Sequence, residues 1–456
     1  MFKKLRGAFL FEKNFLFTVV SIALPIALQN IISFGVNLMD SVMLGQLGDV
    51  AITAANLGGQ PFFLLTMFGF GLASGGSVLI AQYWGKGDIG RIRRVMAMSL
   101  QSVFVVSLLF TLASLLFPYQ LMRLFTPDEA VIKASVEYLS TLAFSYLFYS
   151  LSNCYLMCLR AVERVRISTL IYGVSFFVNV FFNWCFIFGK CGAPALGVRG
   201  AAIGTILARM SECALSLLYM YMRENRAGFR LRHLLRRWDG ALLRDFLKHS
   251  LPVVGNELLW GLGTVLMTMI ISNLGDVFVT ANSIANVVNQ VTSVAAFGVA
   301  NAAAVLTGKA VGAGRPQTAR KTANTLLLFS LIVGLCGGLL LFVLRGPILT
   351  IYAITPAARA LTLDIMTVLA VLQPILALEL NCIVGVLRGG GDTRTAFFID
   401  CGCLWLISLP LGLLGGYVLG LAPAAIYLLM RVDTVLKTGL GLWRIRSGRW
   451  IKNITR

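Results

Sequence analysis

Long apolar runs separated by short polar stretches govern this 456-residue chain. Charge-free stretches at 95–122, 138–159, 167–189 and 322–344 each hold the roughly 20 apolar residues that cross a bilayer as a helix. The longer runs 50–85 and 277–308 fit a tight turn followed by one helix, while Gly415, Gly416 and Pro423 divide 401–430 in two. The pattern predicts an all-α integral membrane protein with twelve transmembrane helices. Their spans lie near 15–44, 52–82, 95–118, 135–159, 167–188, 200–222, 247–273, 279–308, 322–344, 360–387, 396–415 and 423–443.

The pattern is written twice. Leu-Gly-Asp-Val occurs at Leu47–Val50 and 227 residues later at Leu274–Val277, and the same offset carries Pro25 onto Pro252 and Gly85-Lys86-Gly87 onto Gly312-Ala313-Gly314. An offset of 228 carries Leu159-Arg160-Ala161 onto Leu387-Arg388-Gly389. The expected organisation is two pseudo-symmetric six-helix bundles: an amino-lobe over 1–222, a cytoplasmic linker over 223–246 and a carboxy-lobe over 247–456. Duplication of half the chain in so apolar a protein is the pattern of a transporter whose site lies between paired bundles.

Composition sharpens the class. Hydrophobic residues make up 58% and charged residues 13%, against about 25% charged in soluble domains. The net charge of +20 would suggest nucleic acid in a soluble protein, but 30 of the 39 Lys and Arg crowd alternate loops and both ends, against 6 in the opposite loops. That asymmetry places both termini in the cytoplasm of a multi-pass cell-membrane protein and speaks against nucleic acid as a partner. The basic start MFKKLRGAFLF runs into a long apolar helix without a cleavage site and reads as uncleaved. Eight of nine Cys fall in apolar segments and only Cys191 in an outer loop, so no disulfide framework is expected. His233 and His249 lie in or beside the linker, leaving no histidine metal site or proton relay in the membrane. No HExxH or GxSxG motif points to an enzyme, and Gly389-Gly390-Gly391 follows no strand, so it is no phosphate loop. A duplicated chain with single buried acids favours alternating access over a channel.

Acids inside the membrane carry the candidate chemistry, because each costs about 2.5–3.5 kcal/mol at mid-span. Asp40 lies in helix 1, Glu257 in helix 7 and Glu379 in helix 10, while Glu212 follows Arg209 by three residues and pairs with it on one helix face. At 1.5 Å per residue, Asp40, Asn183 and Thr205 each sit about 9–11 Å below an outer turn, with Asn179 one turn deeper than Asn183. Two readings fit these four residues: a proton or Na⁺ site built from hard oxygen ligands, or separate interhelical hydrogen bonds. Glu257 and Glu379 both approach the midplane, where they either share one proton or pair privately with a backbone or amide donor. Pro25 and Pro252 either bend matching helices to gate a cavity or reflect the frequency of proline in membrane helices.

PIALQNIISFGVNLMDSVMLGQLG, GKGDIGRIRR, GVLRGGGDTR, the Asn179-x-x-x-Asn183 pair, GAAIGTILAR at 200–209 and the terminal SGRW together resemble the multidrug and toxic compound extrusion (MATE) family. The likeness covers essentially the whole chain. It implies a twelve-helix antiporter that expels bulky, often cationic organic compounds in exchange for H⁺ or Na⁺. It also implies an amino-lobe cation site at Asp40, Asn179, Asn183 and Thr205, and a carboxy-lobe acid at Glu257. Two departures stand out. Family members commonly have Asp where this chain has Asn183, which weakens the case for Na⁺, and the family's helix 10 acid aligns near Ala377, about half a turn from Glu379.

The resulting expectation is a secondary active exporter of organic cations driven by protons. It would work as a monomer in membrane lipid, without a cofactor. The alternative is a flippase for lipid-linked saccharides, which shares this architecture but would hold its pyrophosphate with more buried Arg and Lys.

Overall fold

The computed structural model describes residues 9–223, 226–235 and 238–455. Lys3, Lys4, Arg6, Arg236, Arg237 and Arg456, counted above among the charges of the basic loops and ends, lie outside the described residues. Among the described residues there are helices and no strands. The long helices are α1 (Lys13–Gly45), α2 (Asp49–Lys86), α3 (Ile89–Leu116), α4 (Glu129–Leu142 and Ser145–Ala161), α5 (Arg166–Phe188) and α6 (Gly197–Met222). The second set is α7 (Gly240–Asn273), α8 (Asp276–Gly312), α9 (Pro316–Ile348), α10 (Pro356–Arg388), α11 (Thr393–Val418) and α12 (Pro423–Met430 and Val432–Arg446). Ten are singly long and apolar enough to cross a membrane, and α4, bent by 51° between its two pieces, makes eleven. α12 completes the twelve, broken at Arg431 and carrying Asp433 and Lys437. Phe17, Phe177, Leu339 and Val371 stand 66–72% exposed, which suits helices bathed in hydrocarbon.

The repeated tetrapeptide is a turn device. Gly48 and Gly275 adopt φ of 100° and 121°, a region closed to most side chains, and each starts the following helix with an Asp in its first turn. The turns after α2 and α8 also match, with Gly87 at φ 81° and Gly314 at φ 68°.

The chain resolves into two compact units. One takes Leu28–Ile80 and Asp88–Val254. Its core joins Leu65 of α2 to Ile132, Leu139 and Tyr146 of α4 and Ala202 of α6. The other takes Met1–Ala27, Ala81–Gly87 and Gly255–Arg456. Its core packs Phe278, Ala285 and Val288 of α8 against Leu341 of α9, Ile365 and Leu369 of α10 and Tyr427 of α12.

Within this second unit the repeat meets itself. A Cβ on Gly85 would lie 2.0 Å from the carbonyl oxygen of Lys309, and one on Gly312 would lie 1.9 Å from that of Gln82. These are the same contact twice, because an offset of 227 exchanges Gly85 with Gly312 and Gln82 with Lys309. The carboxy-terminal segment fastens the arrangement. Trp450 is fully buried, Lys452 reaches Asp392 at 2.6 Å, and the amide of Gln82 is held between the backbones of Lys452 and Ile454 at 3.1 and 2.9 Å.

A methyl at either glycine must push two backbones apart. Gly85→Ala and Gly312→Ala are each expected to lower stability by about 1–3 kcal/mol, read as a lower melting temperature in detergent. Gly402→Ala in α11, whose Cβ would meet nothing within 4 Å, is expected to melt at or above the parent temperature. Parent-like melting of both Gly85→Ala and Gly312→Ala would contradict this packing.

Candidate functional site

Asp40 stands near the end of α1, and α5 presents Asn179 and Asn183 one turn apart on one face. Asn183 joins them. Its amide nitrogen donates to Asp40 Oδ1 at 2.5 Å and to Asn179 Oδ1 at 3.3 Å. α6 makes room for this through Gly200 and Gly204. A Cβ on Gly200 would lie 2.4 Å from the carbonyl oxygen of Phe186, and one on Gly204 would lie 2.0 Å from Asn183 Oδ1. Small residues four apart let membrane helices approach this closely. Thr205 follows Gly204, but its hydroxyl donates to the Ala201 carbonyl at 3.0 Å and is not bonded to the three.

Asn179 and Asn183 are buried, and Asn179 Nδ2 and Asn183 Oδ1 have no hydrogen-bond partner among the described residues. An unsatisfied buried acceptor beside a carboxylate is costly, and a proton or a small hard cation is what such oxygens suit. Arg209 is close enough for its field to reach Asp40, but its guanidinium is committed to Glu212 at 2.5 Å.

The acids of the second half have a different setting. Glu257 meets Arg388 at 2.9 Å, while Lys437 is shared by Asp400 and Asp433 at 2.8 Å each and by Glu379 at 3.6 Å. Asp400 also accepts from the amide of Asn256 at 2.8 Å. The expectation that Glu257 and Glu379 share a proton, or find backbone or amide donors, is therefore corrected: Glu257 pairs with Arg388, and Glu379 shares Lys437 with two aspartates. Arg388, counted above with the loop charges, is only 3% exposed, because α10 continues to it through the π-helical stretch Asn381–Arg388. Glu379 lines a cavity of about 400 Å³ in this unit, and Glu257 is not among the lining residues.

The Glu257–Arg388 pair has a counterpart. An offset of 228 carries Gln29 onto Glu257 and Arg160 onto Arg388, and Arg160 donates to Gln29 Oε1 at 3.0 Å. The neutral copy holds the same pair of helices in the other half, so a positioning role accounts for the charged copy. Asp400 and Asp433 stand in no motif that singles them out. Asp433 and Lys437 stand at i, i+4 and were readable as a helix pair, whereas nothing in the sequence brings Asp400 of α11 to Lys437. α1 runs through Pro25 and α7 through Pro252 as single helices, and in both the boundary between the two units falls two residues later, after Ala27 and after Val254.

The family model MatE matches residues 25–185 and again 252–414, once in each half. The chain is 25% identical over 439 residues to the probable multidrug resistance protein NorM of Thermotoga maritima, covering 95% of this chain and 93% of that protein. It is 24% identical to the multidrug resistance protein MdtK of Pectobacterium atrosepticum, covering 90% and 94%. Its fold matches a crystal structure of a Vibrio cholerae MATE transporter with a TM-score of 0.87 at 18% identity, over 96% of this chain and 97% of that one. With the family model matched in both halves, this chain belongs to the MATE family of multi-pass membrane transporters.

Proposed function

We propose that this protein exports organic, cationic compounds across the cell membrane in exchange for protons, with both termini in the cytoplasm and the two repeats serving as its lobes. One observation carries the reading. Asp40 accepts from the Asn183 amide and has no ion pair among the described residues, whereas Glu212, Glu257, Glu379, Asp400 and Asp433 each touch a basic side chain. A carboxylate without a base is free to trade one positive partner for another.

Coupling then follows from competition. A proton and a cationic substrate cannot both neutralise Asp40, so binding one favours release of the other, and the membrane potential adds about 2.3 kcal/mol per charge per 100 mV. Asn179 and Asn183 surround the carboxylate with neutral amides, and Thr205 lies outside that hydrogen-bonded group. Such a set suffices for a proton, while a tight Na⁺ site gains from additional anionic ligands. Pro25 and Pro252, each just before a boundary between compact units, are the proposed flexing points of α1 and α7.

Ethidium accumulation in cells expressing the protein tests the reading. Collapse of the proton gradient should abolish export, and removal of Na⁺ should leave it intact. Asp40→Asn should accumulate ethidium to the level of cells lacking the protein while still folding. The double variant Glu257→Gln with Arg388→Gln, which neutralises a positioning pair, should keep proton-driven export. Export that follows Na⁺ alone, or survives in Asp40→Asn, would refute the proposal.

A further inference from the structure

Two cysteines come together where α5 ends. The helix stops at Gly189, whose φ of 68° and ψ of 42° are left-handed, and the amides of Gly189 and Lys190 both return to the Cys185 carbonyl, the second at 2.9 Å. A glycine in this conformation closes a helix by satisfying its last carbonyls. The chain keeps turning through Cys191 at φ 56° and Gly192 at φ 77°, and the Ala193 amide reaches the Lys190 carbonyl at 3.1 Å. Cys191 and Glu163 are the two non-glycine residues with positive φ among the described residues, a region that side chains enter rarely. The turn folds Cys191 back over the end of α5, where its thiol is in hydrogen-bonding contact with that of Cys185. Both are free thiols.

Their access differs. Cys191 is exposed, whereas Cys185 is only 4% exposed. Cys154 and Cys158 also touch, but both are buried one turn apart within α4, away from any oxidant in water. With the amino terminus in the cytoplasm, α5 is the fifth crossing, so its far end opens outside the cell, where disulfides persist. That oxidising setting rests on the orientation proposed above; the contact between the thiols does not.

We infer that Cys185 and Cys191 form a disulfide that staples the outer turn between α5 and α6. The exposed Cys191 thiolate attacks an external disulfide and expels one thiolate; the Cys185 thiolate then attacks the Cys191 sulfur of the mixed disulfide and expels the second. The two protons given up by the protein go to the two expelled thiolates, so two protein thiols are oxidised and one external disulfide is reduced. The stapled turn seats α6: the Leu196 amide donates to the Phe186 carbonyl at 2.8 Å, and a Cβ on Gly200 would lie 2.4 Å from that same oxygen. Phe186 lies inside the ring that the crosslink closes, and Asn183 is two residues before it.

Trypsin supplies the test, because Lys190 lies between the two cysteines. Cells expressing the protein are lysed in N-ethylmaleimide to block exchange, and the protein is denatured, digested and weighed by mass spectrometry. A disulfide keeps peptide 167–190 joined to 191–199, and a reductant separates them. The joined pair is expected from untreated cells, lost after dithiothreitol and restored by oxidised glutathione. Of the nine cysteines, the oxidised protein should then leave 9 − 2 = 7 to be alkylated. In detergent, dithiothreitol should lower the melting temperature of the parent and leave that of Cys191→Ser unmoved, while Asp40→Asn should form the bond as the parent does. A sulfonated maleimide that cannot cross the membrane should label Cys191 on intact, reduced cells. Labelling only after the cells are opened would overturn the orientation and this inference with it. Labelling from outside, with the two peptides never joined, would overturn this inference alone, as would a 191–199 peptide joined only to glutathione or to its own copy.

Discussion

A carboxylate in the low-dielectric interior of a helix bundle must be answered by a partner, because an unpaired one is expensive and a protonated one is no longer an anion. The charged side chains of this chain follow from that constraint. Lys437 gathers three acids from α10, α11 and α12, Arg388 answers Glu257, and Arg209 answers Glu212. With these acids tied to bases, Asp40 stands apart among neutral amides. An acid not held in an ion pair is the one that can be spared for work.

Duplication supplied the frame and divergence supplied the chemistry. The glycine turns at Gly48 and Gly275, the crossing of Gly85 and Gly312, and the Arg160–Gln29 and Arg388–Glu257 contacts are pairs of like parts. They hold helices and work equally well in either half. The Asp40 cluster, by contrast, has Met267 and Thr268 near its matching position. The packing contacts recur in both halves, and the proposed site residues do not.

The same division explains what could be read from the sequence. Helix spans were legible because hydrocarbon demands long apolar runs, and the 227-residue repeat was legible because its turns need glycine. Depth along a helix is also arithmetic, and it sets Asp40, Asn179 and Asn183 at neighbouring levels. Rotation about a helix and the choice of neighbour are not written in one segment. Asp400 reaching Lys437, the inward turn of Arg388 after a π-helical stretch, and the 51° bend between Leu142 and Ser145 depend on packing from elsewhere in the chain. Thr205 shows the limit from the other side, since depth along the helix says nothing of its hydroxyl, which is bonded within its own helix.

The central claim is that one proton site on Asp40 couples the two fluxes, and the movement of protons themselves tests it most directly. Purified protein would be placed in liposomes with a pH-sensitive dye trapped inside, equal pH and Na⁺ on both sides, and ethidium on one side only. Ethidium running down its gradient should drive protons the opposite way, to the same extent with or without Na⁺, and Asp40→Asn should abolish the pH change. Ethidium flux with no pH change, or a pH change that persists in Asp40→Asn, would contradict the account.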